Sequence, residues 1–329
     1  MNFLNILPWS FRGLNPFLNT YGDRFLFRKI TSTPPITTNP NADTEVHSAV
    51  PHRYVYAYLV ALKSLLRYHA DLSVVVHDDG SLSAADKTLI AFHLPHCRII
   101  TRTDADSEFE KLNNPFLSKV RNSYTSYIKL FDTSYSSRSK RVIIIDTDTI
   151  FLKRPDAIID WIVNGGQPWY HLAPKGKMKL ENSPKPNSEA SATKPVEPQK
   201  DHIQTLIMKN LDSINATLNK NYSIEQGFCS GFIGYDSTAI ELEELNELFS
   251  LLYKKFGDKI FKWGSEQTTH GLLLCSKGAE ALPIEEYFVF TQFNADQAKD
   301  ATFVHFVGEN RFHRFIYPKL AKKVIKELP

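Results

Sequence analysis

A chain of 329 residues with 42% hydrophobic content is long enough for one large domain or two modest ones. A net charge of +3, with basic residues scattered apart from KLAKKVIKEL at 319–328, excludes the electrostatic footprint of a nucleic-acid-binding protein. Cys97, Cys229 and Cys275 are widely spaced with no C-x-x-C, which suggests reduced thiols in a cytoplasmic setting and not a disulfide frame or zinc site.

Residues 1–44 read as an N-terminal extension and linker. The start, MNFLNILPWSFRGLNPFLNTYGDRFLF, is rich in Phe, Leu and Trp, but Pro8, Gly13 and Pro16 interrupt it. No small-residue cleavage site follows a clean apolar core, so it is not read as a signal peptide. It either packs on the domain or touches a membrane surface peripherally. No run approaches the length of a membrane span. TSTPPITTNPNADTE at 31–45 is linker text.

A short strand over 45–50 comes next. Val55, Tyr58, Leu59, Leu62, Leu65 and Leu66 then recur at three- and four-residue steps, the stripe of a helix packed on a sheet. SVVVH at 73–77 is a buried strand ending in Asp78-Asp79-Gly80-Ser81, where the acids suit a turn and Asp79 is also a candidate ligand contact. Ser83 and Asp86 form an S-x-x-D helix start running to about His93, and CRIIT at 97–101 is a third strand. Tyr124, Tyr127, Ile128 and Phe131 mark a helix leading to RVIIIDTDTIFLKRP at 141–155.

Val142–Ile145 is a continuous β-branched run, which suits a central strand covered on both faces. Asp146 and Asp148 would then stand at its carboxyl edge, where open α/β sheets bind ligands. Two like charges this close are costly unless a cation compensates them, so the pair reads either as a metal site or as a solvated turn. On the metal reading, losing one acid relieves repulsion in metal-free protein.

The first half thus alternates strand and helix and predicts a mostly parallel central sheet with helices on both faces. There is no G-x-G-x-x-G and no G-x-x-x-x-G-K-[ST], so any nucleotide phosphates must be held another way. KGKMKLENSPKPNSEASATKPVEPQK, at 175–200, has almost no large apolar residue and is expected to be a mobile insertion. A helical pattern returns through Ile203, Leu206, Ile207, Leu211 and Ile214. EQGFCSGFIGYD at 225–236 is a strand whose small residues suggest close approach of a ligand or another backbone. A helix to about Phe256, WGSEQTTHGLLLC at 263–275, a strand near Tyr287–Thr291 and ATFVHFVGENRFHRF at 301–315 complete the chain.

IIIDTDTIF, SGFIGYD with SEQTTHGLL, and VHFVGENR, in that order, resemble the signature stretches of glycosyltransferase family 8, the glycogenin-like retaining enzymes. The resemblance covers roughly residues 45–315. It implies a single glycosyltransferase domain over 45–329 with the GT-A-type nucleotide-sugar transferase fold. It also implies transfer of a hexose from a UDP-sugar to a glycan, lipid or protein hydroxyl with retained configuration. Carried over by motif, Asp146, Asp148 and His305 would bind a divalent metal. Carboxylate oxygens plus one imidazole suit Mn2+ better than Mg2+, the alternative ion. Lys129, Ser230, Gly308 and Arg311 would face the donor, with Arg311 gripping phosphate where the family has Lys. Glu266 and Gln267 match the acid–Gln pair beside the anomeric carbon.

The sequence departs from the family in two places: Cys229 replaces Asn in Asn-Ser-Gly, and Phe312-His313 replaces Pro-Trp. SAVPHRYVY also lacks the family text, which leaves His52, Arg53 and Tyr54 as weaker candidates for the base. Each site residue also has an ordinary reading: Lys129 as a solvated helix residue, His305 as a core histidine, Arg311 as a surface charge, Glu266-Gln267 as an exposed helix start. The competing functions are a nucleotidyltransferase, which needs a glycine-rich loop after the first strand, and a non-catalytic nucleotide-sugar-binding protein of the same fold.

Overall fold

A computed structural model describes residues 14–174 and 202–329. The insertion expected at 175–200 and the first 13 residues lie outside the described residues.

The first half winds strand to helix as its apolar periodicity demands. In chain order come α1 (Leu14–Leu26), β1 (Thr44–Val50), α2 (Val55–Leu66), β2 (Ser73–Asp78), α3 (Ala84–His93) and β3 (Arg98–Ile100). Next are α4 (Arg102–Glu110), α5 (Pro115–Ser123), α6 (Tyr127–Ser136), β4 (Arg141–Ile145), β5 (Thr149–Phe151), α7 (Asp156–Asn164) and β6 (Trp169–Leu172). The second half holds α8 (Ile203–Lys209), α9 (Leu211–Leu218), β7 (Phe228–Asp236), α10 (Leu242–Phe256) and α11 (Ser265–Cys275). β8 (Glu280–Ala281), β9 (Tyr287–Val289), β10 (Phe303–His305) and α12 (Ile316–Glu327) follow. The S-x-x-D start of α3 is a complete capping box, with Ser83 and Asp86 each bonded to the other's backbone N–H.

Among the described residues ten strands join one sheet in the order β3-β2-β1-β4-β7-β6-β9-β10-β5, with β8 beside β6. β3, β2, β1 and β4 are parallel, as are β6, β9 and β10, while β7 runs against both its neighbours and β5 against β10. The sheet is therefore mixed, with parallel pairing dominant. It cannot be flat. β4 and β5 lie five strand spacings apart in this order, about 24 Å at ~4.8 Å each. Yet Ile145 and Thr149 are four residues apart in the chain, a reach of at most about 14 Å. The second half of the sheet must curl back, and that curl carries β10 to the end of β4.

β4 shows why its run is continuous. Ile143 and Ile145 enter one apolar cluster with α2 and α12, whereas Val142 and Ile144 enter the other with α6, α10 and α11. Residues 14–44 join the body. Leu18, Phe27, Ile30 and Ile36 belong to the α2 cluster, and Asp23 on α1 accepts from Tyr56 N (3.1 Å) and Ala57 N (2.8 Å). That carboxyl group caps the start of α2, whose own N-cap, Tyr54, makes no side-chain cap. The Pro/Thr text read as linker lies on the same body: Ile36 and Thr38 donate backbone hydrogen bonds to the His93 and Pro95 carbonyls.

Candidate active site

The order β3-β2-β1-β4 makes the β1/β4 boundary a topological switch point, where the crevice beyond the strand carboxyl ends is open to a ligand. A cleft of about 660 Å³ lies there. Pro51–Tyr54 after β1, Asp79 and Ser81 after β2, and Asp146–Asp148 after β4 line it, with Tyr124–Ser126, Lys129 and Arg311 closing its sides. The acids stand at a carboxyl edge, as the strand reading required.

The D-T-D turn is pinned by backbone. Asp146 N donates to the Gly231 carbonyl (2.8 Å), Thr149 Oγ1 to the Asp146 carbonyl (2.9 Å), and Phe306 N to the Asp148 carbonyl (2.8 Å). The two acids diverge onto different cations. Lys129 Nζ lies 2.9 Å from Asp146 Oδ1, while Asp148 pairs with Arg311 and with His305 Nε2 at 3.2 Å. Burial opposes ionisation of Asp148, but Arg311 and His305 outweigh it and hold the carboxyl below its ordinary range. Burial likewise opposes charge on His305, and Asp148 and Cys229 push it up to about 10. Lys129 and Arg311 stay charged for the same reason.

The protein therefore supplies its own counter-charges, which corrects the expectation that the acid pair stands in net repulsion. Lys129 is buried in this network rather than solvated on a helix face, and Arg311 is 6% exposed rather than a surface charge. Its guanidinium stacks 4.4 Å from the Tyr54 ring centroid, and Nε donates to the Phe306 carbonyl (3.2 Å).

Asp146, Asp148 and His305 fit a divalent cation. Their ligand atoms lie within 4.8 Å of one another, with Nε2 of His305 3.5 Å from Asp146 Oδ2 and 3.2 Å from Asp148 Oδ1. Those are about the edge lengths of an octahedron with ligands at ~2.1–2.3 Å. Gly231 makes room for the set. A Cβ there would lie 2.0 Å from His305 Cε1 and 2.9 Å from Asp146 Oδ2. The close approach read from the small-residue strand is thus to the imidazole. Behind it, His171 Nε2 lies 3.1 Å from His305 Nδ1, and His171 Nδ1 donates to the Phe232 carbonyl (3.1 Å). The sequence gives no periodic signal for His171, a single polar residue in the strand WYHL.

Glu266, at the start of α11, is buried and not an exposed helix start. It takes hydrogen bonds from His270 Nδ1 (2.8 Å) and Ser230 Oγ (3.3 Å) and lies 3.8 Å from Lys129 Nζ. Burial raises its pKa, but Lys129, His270 and Ser230 together hold it below the usual value. Glu266 is thus a fixed carboxylate one lysine away from Asp146. Gln267 beside it is half-buried, and His270 was missed by sequence reading.

The remaining candidates are more peripheral. Asp78 serves the turn by accepting from Gly80 N and Leu82 N, while Asp79 reaches the cleft and accepts from Ser81. His52 lines the cleft but pairs with Asp86. Gly308 is exposed with φ +55°, a left-handed conformation that itself accounts for a glycine.

No protein-family profile matches this chain, and no curated protein matches it. Among solved structures it is similar to the bifunctional glycosyltransferase WbbM in its apo form, with a TM-score of 0.50 and 15% identity over 89% of this chain and 51% of that one. It is also similar to the galactosyltransferase LgtC in complex with donor and acceptor sugar analogues (TM-score 0.47, 14% identity, 86% and 96% covered). A third is the glycosyltransferase GlyE of Streptococcus pneumoniae (0.47, 12%, 87% and 63%). The chain spans about half the length of WbbM. Sheet, helices and this likeness together make the fold that of the GT-A glycosyltransferases.

Proposed function

We propose that the protein is a metal-dependent glycosyltransferase that moves a hexose from a UDP-sugar to a hydroxyl acceptor with retention. The observation that carries this reading is the convergence of Asp146, Asp148 and His305 at the switch-point cleft, with Lys129, Glu266 and Arg311 beside them. Asp146, Asp148 and His305 would hold Mn2+, which would supply positive charge toward the donor's diphosphate. Lys129 and Arg311 add fixed positive charge where the leaving group departs. Glu266, held ionised, would face positive charge developing on the sugar, and Gln267 would orient its hydroxyls. The anomeric carbon's bond to the diphosphate breaks as its bond to the acceptor oxygen forms on the same face. The acceptor's proton passes to the departing phosphate, so no separate general base is required. Asp79 and the 52–54 segment are the candidates for holding the uridine.

One observation favours a second reading, a nucleotide-sugar-binding protein without turnover: Arg311 already occupies Asp148. A nucleotidyltransferase is disfavoured because Pro51–Tyr54 after β1 is not a glycine-rich loop. One experiment separates these readings, a screen of nucleotide sugars for slow hydrolysis with and without Mn2+. Mn2+-dependent release of UDP, absent in Asp148→Ala, supports the transferase. Tight Mn2+-dependent UDP binding with no hydrolysis of any sugar, in the presence of candidate acceptors, overturns it in favour of the binder.

The same reading includes peripheral contact with an anionic membrane. α1 exposes Leu14, Phe17, Tyr21 and Phe25 at three- and four-residue spacing. Beside Phe25 and Phe315 stand Arg28, Lys29, Lys319 and Lys322, an apolar face with a basic rim. Among the described residues no helix is long and apolar enough to cross a membrane.

A further inference from the structure

We propose that His171, Cys229 and His305 form a second, thiophilic metal site directly behind the acid pair, sharing His305 with it. His171 on β6 and Cys229 on β7 face each other in register, and His305 reaches them from β10. All three are buried, and their ligand atoms lie within 4.8 Å of one another. His171 Nε2 is 3.1 Å and Cys229 Sγ 3.6 Å from His305 Nδ1. A tetrahedral zinc with Zn–N of ~2.05 Å and Zn–S of ~2.3 Å has N···N edges of ~3.3 Å and N···S edges of ~3.6 Å. The cluster is already spaced as such a site. The bond from His171 Nδ1 to the Phe232 carbonyl fixes its tautomer and leaves the Nε2 lone pair aimed at the cluster, the usual outer support of a metal-bound imidazole.

The donor set decides the ion. Two imidazoles and a thiolate select zinc or copper(I), whereas the neighbouring carboxylates suit manganese. Cys229 is also where this chain departs from the family it resembles, so the thiol belongs to this sequence and not to the general pattern.

Sharing His305 couples the sites. A neutral imidazole offers one lone pair. Zn2+ held by the Cys229 thiolate, His171 Nε2 and His305 Nδ1 displaces the His305 Nδ1 proton, leaving Nε2–H to donate to Asp148. His305 is then withdrawn from the acid pair, and zinc opposes manganese without occupying its place. This coupling rests on the manganese reading of Asp146, Asp148 and His305, while zinc binding at the inner site does not.

The test uses the full chain freed of metal with a chelator and titrated with Co2+ as the spectroscopic stand-in for zinc. The expected result is a thiolate-to-cobalt charge-transfer band that Zn2+ abolishes. The band persists in a Cys97→Ser/Cys275→Ser double variant and disappears in Cys229→Ser. His171→Asn, checked for folding by circular dichroism, should weaken the cobalt complex by about 10–100-fold or more. Absence of the band, or a band surviving Cys229→Ser, overturns the site. Zinc preloading should also weaken Mn2+ binding at least ~10-fold in the natural chain but not in Cys229→Ser. A Cys229-dependent band with Mn2+ binding unaffected overturns the sharing of His305. A Cys229-dependent band with no Mn2+ binding at all supports the inner site and sinks the manganese reading instead.

Discussion

Replacing Gly231 with alanine adds one methyl group at the most crowded point of the site. The new Cβ would lie 2.0 Å from His305 Cε1, 2.5 Å from its Nδ1 and 2.9 Å from Asp146 Oδ2, where real Cβ atoms keep at least 3.0 Å. Something must move by about 1 Å. The backbone is not free to yield, because the Gly231 carbonyl accepts from Asp146 N in the turn itself. The imidazole is held between His171 and Asp148, so its displacement breaks a hydrogen bond on one side or the other. Overpacking of this kind costs about 1–3 kcal/mol of stability. A 1 Å error in a reacting geometry costs about 100-fold in rate. Gly231→Ala should therefore remain folded, melt at a lower temperature and bind Mn2+ about 10–100-fold more weakly, the scale seen when support of a ligand is lost. Calorimetric titration with Mn2+ and a thermal melt on the same sample read both. Unchanged Mn2+ affinity in a folded Gly231→Ala protein would refute the assignment of His305 as a ligand.

Asp148→Ala should abolish Mn2+-dependent donor turnover. It should also destabilise the metal-free protein by about 3–5 kcal/mol in a denaturant titration, because Arg311 and His305 lose their partner. The sequence reading, which saw only two acids, expected the opposite sign for stability. Asp132→Ala removes the bidentate partner (2.5 and 2.9 Å) of the buried Arg121, which keeps Asp106, and should cost less, about 1–3 kcal/mol, with the cleft chemistry intact. Burial pushes Asp23 up to about 7 from 3.8, so the folded state keeps a proton that the unfolded chain releases. That contribution is fully present below about pH 3.8 and is lost as pH rises through about 7. Asp23→Asn should flatten the fall of melting temperature across that window, and an unchanged profile would count against the capping carboxyl as its source. Flotation with anionic vesicles should recover the full chain, with recovery lost in Phe17→Asp/Phe25→Asp and at high salt. Equal recovery on neutral vesicles refutes the basic rim's part.

What the sequence showed plainly was local. The S-x-x-D of α3, the two-faced run of β4 and the α2 stripe are set by neighbours within a few residues. The D-x-D and the late His-x-x-Gly-x-x-Arg carried the site because motif order survives without knowledge of contacts. What stayed hidden was long-range. His171 meets His305 across 134 positions, and nothing in WYHL announces it. Lys129 looks like a solvated lysine until α6 is placed against the end of β4, 17 residues on. The reversal of β7 against β4 and the pairing of β5 with β10 join segments far apart in the chain, which no local pattern encodes. The pairing of Arg311 with Asp148, 163 residues apart, was likewise invisible. It changed the sign of a prediction.

The charges of the cleft explain why so much of it can be buried. Asp146, Asp148 and Glu266 face Lys129, His305 and Arg311, acid for cation, and each is held by at least one named partner. A group of this size in low dielectric is tolerable only when neutral and fully bonded, since an unpaired buried charge costs several kcal/mol. A divalent cation entering on Asp146, Asp148 and His305 must displace the His305 proton, so the local charge rises by about one unit and not two. On the proposed reading that added positive charge faces the donor's diphosphate. On that reading the network is therefore more than a scaffold. It keeps the acids ionised and the turn fixed, so Asp146, Asp148 and His305 are spaced as a divalent cation would need them.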